Sequence, residues 1–65
     1  MIKVNGKELP CPENKTYKEL LEESGYNLKR VALELNGDIL PKAEFANTQI
    51  RDNDQVEIVC FVGGG

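Results

Sequence analysis

The spacing of apolar residues changes from every second position to every third or fourth, and back again, within 65 residues. A spacing of two is typical of a strand with one buried face, and a spacing of 3.6 is typical of an amphipathic helix. A chain of this length can build only one small core and buries about 60% of the surface that its unfolded form exposes. The sequence therefore predicts one domain in which a sheet and a helix share a single apolar core.

Two short strands are predicted at the start of the chain. Ile2 and Val4 alternate with polar residues, and Asn5-Gly6 is a strong hairpin signal because both positions of the tight turn need a positive φ. The return strand is predicted over residues 7–11. Because Pro10 cannot donate a ladder hydrogen bond, this strand is expected at an edge of the sheet or to end there.

A short helix is predicted after this hairpin. Thr16 and Glu19 have the spacing of a capping box, in which each side chain accepts a hydrogen bond from the other residue's backbone amide. Gly25 supplies the left-handed residue that ends the helix. The predicted buried face consists of residues three or four positions apart, namely Tyr17, Leu20, Leu21 and Ser24.

The second half of the chain contains three more extended segments. Residues 31–36 alternate, Asn36-Gly37-Asp38 is a turn, and residues 39–41 follow, leading into a helical turn over residues 41–45. The most apolar strand is predicted over residues 55–62. One face of that strand is expected to point at the helix, with Val56, Ile58, Cys60 and Val62, and Val59 and Phe61 are expected on the opposite face.

These elements together predict an α+β fold of the β-grasp type, a mixed sheet of four to five strands with one main helix packed on one face. Residues 1–62 are predicted to form the domain. Residues 63–65 are all glycine, which has no side chain to pack and loses the most conformational entropy on ordering, so they are expected to form a flexible C-terminal tail.

The charge balance excludes several classes of function. A net charge of −3 argues against a nucleic-acid backbone or an anionic membrane as the partner, because both require clustered positive charge. The sequence shows neither a membrane span nor a signal peptide, so a cytoplasmic protein is expected. The chain has no histidine and hence no catalytic triad or easy general base near neutral pH, so it is not expected to be an enzyme.

The remaining candidates for chemistry are expected to be structural. Cys11 and Cys60 match no metal-ligand spacing and are predicted to be buried free thiols of a reducing compartment, with no metal and no bound cofactor. The acidic residues considered as catalytic groups are predicted to be solvated charges on a helix and a turn, namely Glu22, Glu23, Asp52 and Asp54.

The C-terminal carboxylate is therefore the expected reactive group. It has a pKa of about 3.3–3.7 and is unreactive towards nucleophiles at neutral pH, so a partner must activate it, most simply with ATP as an acyl-adenylate. Nothing crowds the carbonyl of Gly65, and Gly63 and Gly64 fit a narrow channel. Val59 and Phe61, two large apolar residues directly before the tail, are predicted to dock the partner.

The pattern resembles the ThiS family, the sulfur carrier proteins of thiamine biosynthesis, and more broadly the ubiquitin-like β-grasp carriers. The resemblance covers essentially the whole chain and rests on the first hairpin, the helix with Leu20-Leu21, residues 31–42, the acidic turn at residues 52–54 and the glycine tail. Two departures are a third terminal glycine, Gly63, and Asn53 in place of a glycine in the acidic turn, where asparagine tolerates the left-handed conformation.

The resemblance implies a carrier that partner enzymes act upon. Gly65 would be adenylated with ATP by a ThiF-like enzyme and converted to a thiocarboxylate with sulfur from a donor protein. A ThiG-like thiazole synthase would then receive the sulfur. Three alternatives are the small subunit of molybdopterin synthase, a ubiquitin-like protein modifier conjugated through Gly65, and a plain interaction module.

Overall fold

The structure is a computed structural model, and it describes residues 1–61 of the chain. Within these residues, the secondary structure consists of five strands, one α-helix and two 3₁₀ turns. The strands are β1 (Ile2–Val4), β2 (Lys7–Leu9), β3 (Val31–Leu35), β4 (Asp38–Leu40) and β5 (Gln55–Cys60), the helix α1 is Tyr17–Glu23, and the 3₁₀ turns are Leu28–Arg30 and Lys42–Glu44.

The five strands form one mixed sheet in the order β2-β1-β5-β3-β4. β1 pairs with β2 and β3 pairs with β4 as antiparallel hairpins, and β5 lies between them. It runs antiparallel to β3 and parallel to β1. The predicted mixed sheet with one main helix is confirmed, and the last strand in the sequence is the central strand of the sheet.

Both hairpins use the same two-residue turn. Asn5 and Gly6 have φ values of 52° and 81°, and Asn36 and Gly37 have φ values of 52° and 91°. Such a pair of positive φ values matches the twist of the flanking strands. The return strand β2 is shorter than predicted: it ends at Leu9 rather than at residue 11, because Pro10 has no N–H with which to continue the ladder.

The helix α1 begins with the predicted capping box. The Glu19 amide donates to Thr16 Oγ1 at 3.3 Å, and the Thr16 amide donates to Glu19 Oε1 at 3.0 Å. The next two amides of the first turn, those of Tyr17 and Lys18, donate to carbonyl oxygens of the segment that precedes β5. The backbone N–H groups of residues 16–19, at the start of the helix, are therefore all hydrogen-bonded. A helix of only seven residues needs this stabilisation.

The end of α1 corrects one expectation. Ser24, predicted on the buried face, is the C-cap residue and is exposed, because the helix ends at Glu23 and Gly25 turns the chain with a φ of 84°. Leu20 is half-buried. Tyr17 and Leu21 are the helix residues with no exposed surface.

A single core lies between α1 and one face of the sheet. Its buried apolar residues come from the helix, from the three strands β1, β3 and β5 and from the segment between β4 and β5, and they are Ile2, Tyr17, Leu21, Val31, Leu33, Phe45, Ile50, Val56 and Ile58. Phe45 and Ile50 close the core although neither lies in a helix or strand. The opposite face of the sheet is open.

The last strand differs from its prediction at the C-terminal end. β5 ends at Cys60, and Phe61 follows outside the strand, whereas the sequence predicts a strand up to residue 62. Val62 lies outside the described residues.

Candidate functional site

The centre of the sheet leads directly to the predicted site. The Phe61 amide donates to the carbonyl oxygen of Arg30 at 2.7 Å, which holds the chain beside the start of β3 just before the tail. Gly65, predicted to carry the sulfur, and Gly63 and Gly64, predicted for tail recognition, lie outside the described residues. The described part of the site is therefore the end of β5 and the surface around it.

Val59 and Phe61 both point away from the core. Their side chains are 56% and 54% exposed, whereas Val56 and Ile58 on the alternate positions are buried. The predicted division of this strand into a buried and an exposed face is correct at these positions. The role of Val59 and Phe61 in docking a partner stays a prediction.

Two further apolar residues lie on the same open face. Ala32 of β3 stands directly opposite Val59, and Ile39 of β4 stands opposite Glu34, two positions from Ala32 on β3. Ile39 is 67% exposed. We call Ala32, Ile39, Val59 and Phe61 the open-face patch. Sequence reasoning missed Ala32 and Ile39 because only the register of β3 with its two neighbours places Ala32 beside Val59 and Ile39 on the same face of the sheet.

Acidic side chains lie next to the open-face patch. Glu34 of β3 is directly opposite Glu57 of β5, and both are exposed on the open face. Like charges in opposite positions destabilise a sheet, so this pair opposes folding rather than assisting it. A positive charge placed beside these two carboxylates would relieve the repulsion.

Asp54 is buried, which corrects the expectation of a solvated carboxylate. Its side chain is hydrogen-bonded from three directions, because Tyr17 Oη donates to Oδ2 at 2.6 Å, the Arg51 amide donates to Oδ2 at 2.9 Å, and Asn36 Nδ2 donates to Oδ1 at 3.2 Å. Asp54 therefore ties the start of α1 to the turn between β3 and β4, and its role is structural.

These contacts also change the acidity of Asp54 and Tyr17. Burial by itself would raise the pKa of Asp54, but the hydrogen bonds from Tyr17, the Arg51 amide and Asn36 outweigh it, so the pKa lies below its ordinary value. Burial and the hydrogen bond to Asp54 raise the pKa of Tyr17. The pair is thus a neutral phenol donating to a carboxylate at neutral pH.

The other acidic residues behave mostly as the sequence predicts. Asp52 is exposed and binds the N-terminal ammonium group, whose hydrogen bond holds the pKa of Asp52 below its ordinary value. Glu23 pairs with Lys15 at 2.6 Å on the surface, and Glu22 is exposed. None of these three carboxylates lies on the open face of the sheet.

The two cysteines are free, but they are not buried as predicted. Cys11 is half-buried and Cys60 is exposed. Cys60 stands opposite Val31 on the helix side of the sheet. It is nevertheless exposed because β1 ends at Val4, so within residues 1–61 no strand flanks β5 beside Cys60 on that side.

Residues 1–61 contain neither a metal-ligating cluster nor a helix that could span a membrane. In this range no three His, Cys, Asp or Glu side chains lie close enough together to hold a metal ion. No helix of the same range is long and apolar enough to cross a membrane.

The fold and the position of the open face define the class of the protein. A five-stranded mixed sheet that packs around one helix, with its last strand in the centre, is a ubiquitin-like β-grasp domain. The model of the ThiS family matches residues 2–65. The chain therefore belongs to the ThiS family, the small sulfur carrier proteins of thiamine biosynthesis.

Individual relatives agree with this assignment. The chain is 43% identical over 65 residues to the sulfur carrier protein ThiS of Thermus thermophilus, and the match covers 100% of both chains. The crystal structure of the thiamine biosynthesis protein ThiS from Geobacter metallireducens superposes with a TM-score of 0.77 at 34% identity, covering 98% of this chain and 97% of that one.

A third relative is much longer than this chain. A thiazole synthase of Paramagnetospirillum magneticum is 40% identical to it over 62 residues, which are 95% of this chain and 19% of that protein. In that relative a segment similar to this chain and the remainder of a thiazole synthase are one polypeptide.

Proposed function

We propose that Gly65 is the sulfur-carrying residue of this protein. A ThiF-like enzyme adenylates its carboxylate: a carboxylate oxygen attacks the α-phosphorus of ATP, and pyrophosphate leaves. Hydrosulfide (HS⁻) supplied by a donor protein then attacks the acyl carbon, AMP leaves with the transferred oxygen, and the proton on sulfur is released to solvent. The product is a thiocarboxylate, and the chain acts as a carrier while the catalytic groups belong to its partners.

The observation that carries this proposal is the match to the Thermus sulfur carrier protein over the full length of both chains. The match includes the glycine residues, which the described part of the structure does not reach. Glycine suits the position because no side chain crowds the carbonyl during the attack of either nucleophile. ATP is used by the activating partner, and the carrier itself needs no bound cofactor.

The open-face patch is the proposed surface at which the partner enzymes bind. Val59 and Phe61 precede the tail by a few residues, so a partner bound there has the terminal carboxylate within reach: each residue spans at most about 3.5 Å, or about 14 Å over four residues. The exposed apolar residues of this face lie near the acidic pair Glu34 and Glu57. This arrangement favours a partner surface that is apolar at its centre and basic beside it.

A ThiG-like thiazole synthase is the proposed acceptor of the sulfur. Support comes from the thiazole synthase of Paramagnetospirillum magneticum, in which a segment similar to this chain is part of the same polypeptide. A carrier that must present its end to one enzyme gains effective concentration when the two are linked, which gives such a fusion a physical advantage.

Intact mass measurement tests the proposed chemistry. The chain is incubated with ATP, an adenylating enzyme and a sulfur source, and we expect one oxygen of the chain to be replaced by sulfur. A Gly64→Val variant keeps the terminal carboxylate but widens the tail, and it should remain unmodified. An unmodified wild-type chain, in a mixture that converts the Thermus relative, would refute the proposal.

Adding other proteins, a molybdopterin precursor or a thiazole synthase to this mixture separates the alternatives. Conjugates between Gly65 and lysines of other proteins after addition of ATP would identify a protein modifier. Transfer of the sulfur to a molybdopterin precursor rather than into a thiazole would identify the molybdopterin synthase subunit. Membership of the ThiS family favours the thiazole.

A further inference from the structure

Asn5 does more than form the first hairpin turn. β1 ends at Val4, yet the Asn5 amide still donates to the carbonyl oxygen of Val56 at 2.8 Å, as the next residue of a parallel strand would. The backbone then turns away with a φ of 52°. In a regular parallel ladder the Asn5 carbonyl oxygen would accept a hydrogen bond from the Ile58 amide of β5. The turn of the backbone moves this carbonyl out of the ladder, so the Ile58 amide needs another acceptor.

The side chain of Asn5 takes over this position. The Ile58 amide donates to Asn5 Oδ1 at 2.7 Å, and Asn5 Nδ2 donates to the carbonyl oxygen of Ile58 at 3.3 Å. Both backbone groups of Ile58 on this side are therefore paired with one side chain. The last described backbone hydrogen bond after Ile58 is donated by the Phe61 amide, just beyond β5, to the carbonyl oxygen of Arg30 on the β3 side.

We propose that Asn5 is a positioning residue that fixes the end of β5, and with it the docking residues Val59 and Phe61 and the point where the tail leaves the domain. This inference rests on the proposed function, because it assigns a purpose to the position of the tail. Asparagine is required because it tolerates the left-handed backbone and supplies both an acceptor and a donor.

Asn36 in the second hairpin shows why the position matters. Its Oδ1 accepts from the Gln55 amide at 2.8 Å, so it pairs with β5 in a similar way, but at the beginning of the strand and away from the tail. Loss of the Asn36 side chain should affect the stability of the domain without releasing Val59 and Phe61. Asn36 is therefore a control for stability, and Asn5 is the residue that acts on the site.

The test compares three variants that each place glycine at a left-handed asparagine. Asn5→Gly removes the pairing with Ile58, and Asn36→Gly removes the hydrogen bonds with Gln55 and Asp54. Asn14→Gly changes an exposed residue with a φ of 53° whose side chain makes no hydrogen bond within residues 1–61. Glycine keeps the backbone conformation in all three and adds the same entropic cost.

Amide exchange measured by NMR is the first readout. We expect Asn5→Gly to speed exchange of the Ile58 amide about tenfold relative to the Val56 and Leu33 amides of the same variant, since one or two ordinary hydrogen bonds account for such a ratio. Asn36→Gly and Asn14→Gly should leave the ratio of Ile58 to Leu33 unchanged. An unchanged ratio in Asn5→Gly would refute the proposed fixing of β5.

ATP–pyrophosphate exchange by the adenylating enzyme is the second readout. Asn5→Gly should raise the KM for the carrier about fivefold with kcat unchanged, because the docking residues are less well ordered but the bound tail is the same. Asn36→Gly should leave KM near the wild-type value even where it lowers stability. An equal KM for Asn5→Gly and Asn14→Gly, or an equal rise in KM for Asn36→Gly, would assign Asn5 a structural role only.

The two readouts also separate this inference from the proposed function. A wild-type chain that supports no pyrophosphate exchange contradicts the proposed function, and with it the purpose assigned to Asn5. The amide exchange ratios do not depend on the enzyme and still decide whether the side chain fixes the end of β5.

Discussion

Single side chains in this small domain connect elements that are far apart in the sequence. Asp54 contacts the first residue of α1 and the turn between β3 and β4 through hydrogen bonds to Tyr17 and Asn36. A chain of 65 residues has one small core, so a buried polar group that joins three segments stabilises a large fraction of the fold. Asp54 stabilises the fold only if all of its hydrogen bonds are made, because a buried polar group without a partner lowers the stability of the folded state.

Replacing Asp54 with asparagine tests this network. In Asp54→Asn an NH₂ group faces at least one of the three donors that surround the carboxylate, so we expect the free energy of unfolding to fall by about 1–3 kcal/mol. Urea unfolding at pH 7 measures the difference. Asp38→Asn, which changes an exposed residue of β4, is the control and should change stability by less than about 0.5 kcal/mol.

The acid sensitivity of the domain follows from the same residue. The pKa of Asp54 is lower in the folded chain than its ordinary value of 3.8, so the carboxylate stabilises the fold above that pH, and the contribution is lost as the pH falls through the folded pKa. Asp52 adds an effect of the same sign at the surface, because its hydrogen bond with the N-terminal ammonium group also lowers its pKa. Between pH 5 and pH 2, stability should fall less in Asp54→Asn than in the wild type, as urea unfolding at each pH will show. An equal fall in both proteins would contradict the assignment.

At the scale of elements, α1 and the open face of β5 depend on neighbours for what they do. Seven residues are too few for a stable isolated helix, so α1 relies on its core contacts and on its satisfied first turn. The open face needs no covering element to fold. This leaves Val59 and Phe61 available to a partner.

The capping box at Thr16 should have a measurable effect on stability. Thr16→Ala removes the acceptor of the Glu19 amide, and we expect a loss of about 1 kcal/mol with a lower melting temperature. Ser24→Ala removes a hydroxyl at the other end of α1, where the cap is made by the backbone, and should change little. Equal effects of the two substitutions would show that the box contributes nothing beyond the general cost of a substitution in the helix.

The open-face patch should matter for binding and not for folding. Phe61→Asp places a charge on a side chain that is 54% exposed, so the melting temperature should stay within a few degrees of the wild type. The KM of the adenylating enzyme for the carrier should rise about tenfold or more, as expected for an aromatic anchor of an interface. Ala46→Asp changes an exposed residue outside the sheet and serves as the control. Loss of folding in Phe61→Asp would instead place Phe61 in the core.

At the scale of the whole molecule, the stability of the domain depends on a single apolar core. The helix, three strands and the segment between β4 and β5 all contribute buried residues to the same apolar cluster. A domain of this size has a total stability of about 3–10 kcal/mol, so one cavity in the core removes a large part of it. Unfolding should therefore be cooperative, with no element surviving alone.

Leu33→Ala tests this cooperativity. Leu33 has no exposed surface in the middle of β3, and the substitution should cost about 2–5 kcal/mol. Ile39→Ala, on the open face of β4, should cost far less. Far-ultraviolet circular dichroism and tyrosine fluorescence should give the same transition in both variants. Separate transitions for the two signals would show that part of the sheet folds independently.

The sequence by itself determined the local elements. The Asn-Gly pairs identify both hairpins, Thr16 and Glu19 locate the start of α1, and alternation in β5 separates Val56 and Ile58 from Val59 and Phe61. Each of these features depends on residues within a few positions of one another, where backbone geometry and side-chain spacing follow from residue type. Their order along the chain also predicts the mixed sheet with one helix, and the resemblance to the ThiS family added the expected role of a sulfur carrier.

Only the tertiary structure decided what distant residues do to one another. Asp54 looks like a solvated turn residue until Tyr17 is brought against it, and Cys60 looks buried until β1 is seen to end at Val4. The sequence identifies Asn5 only as a turn residue, yet its side chain forms hydrogen bonds with the backbone of Ile58. These contacts follow from the order of strands in the sheet. That order is set by the packing of the whole core and not by the spacing of neighbouring residues.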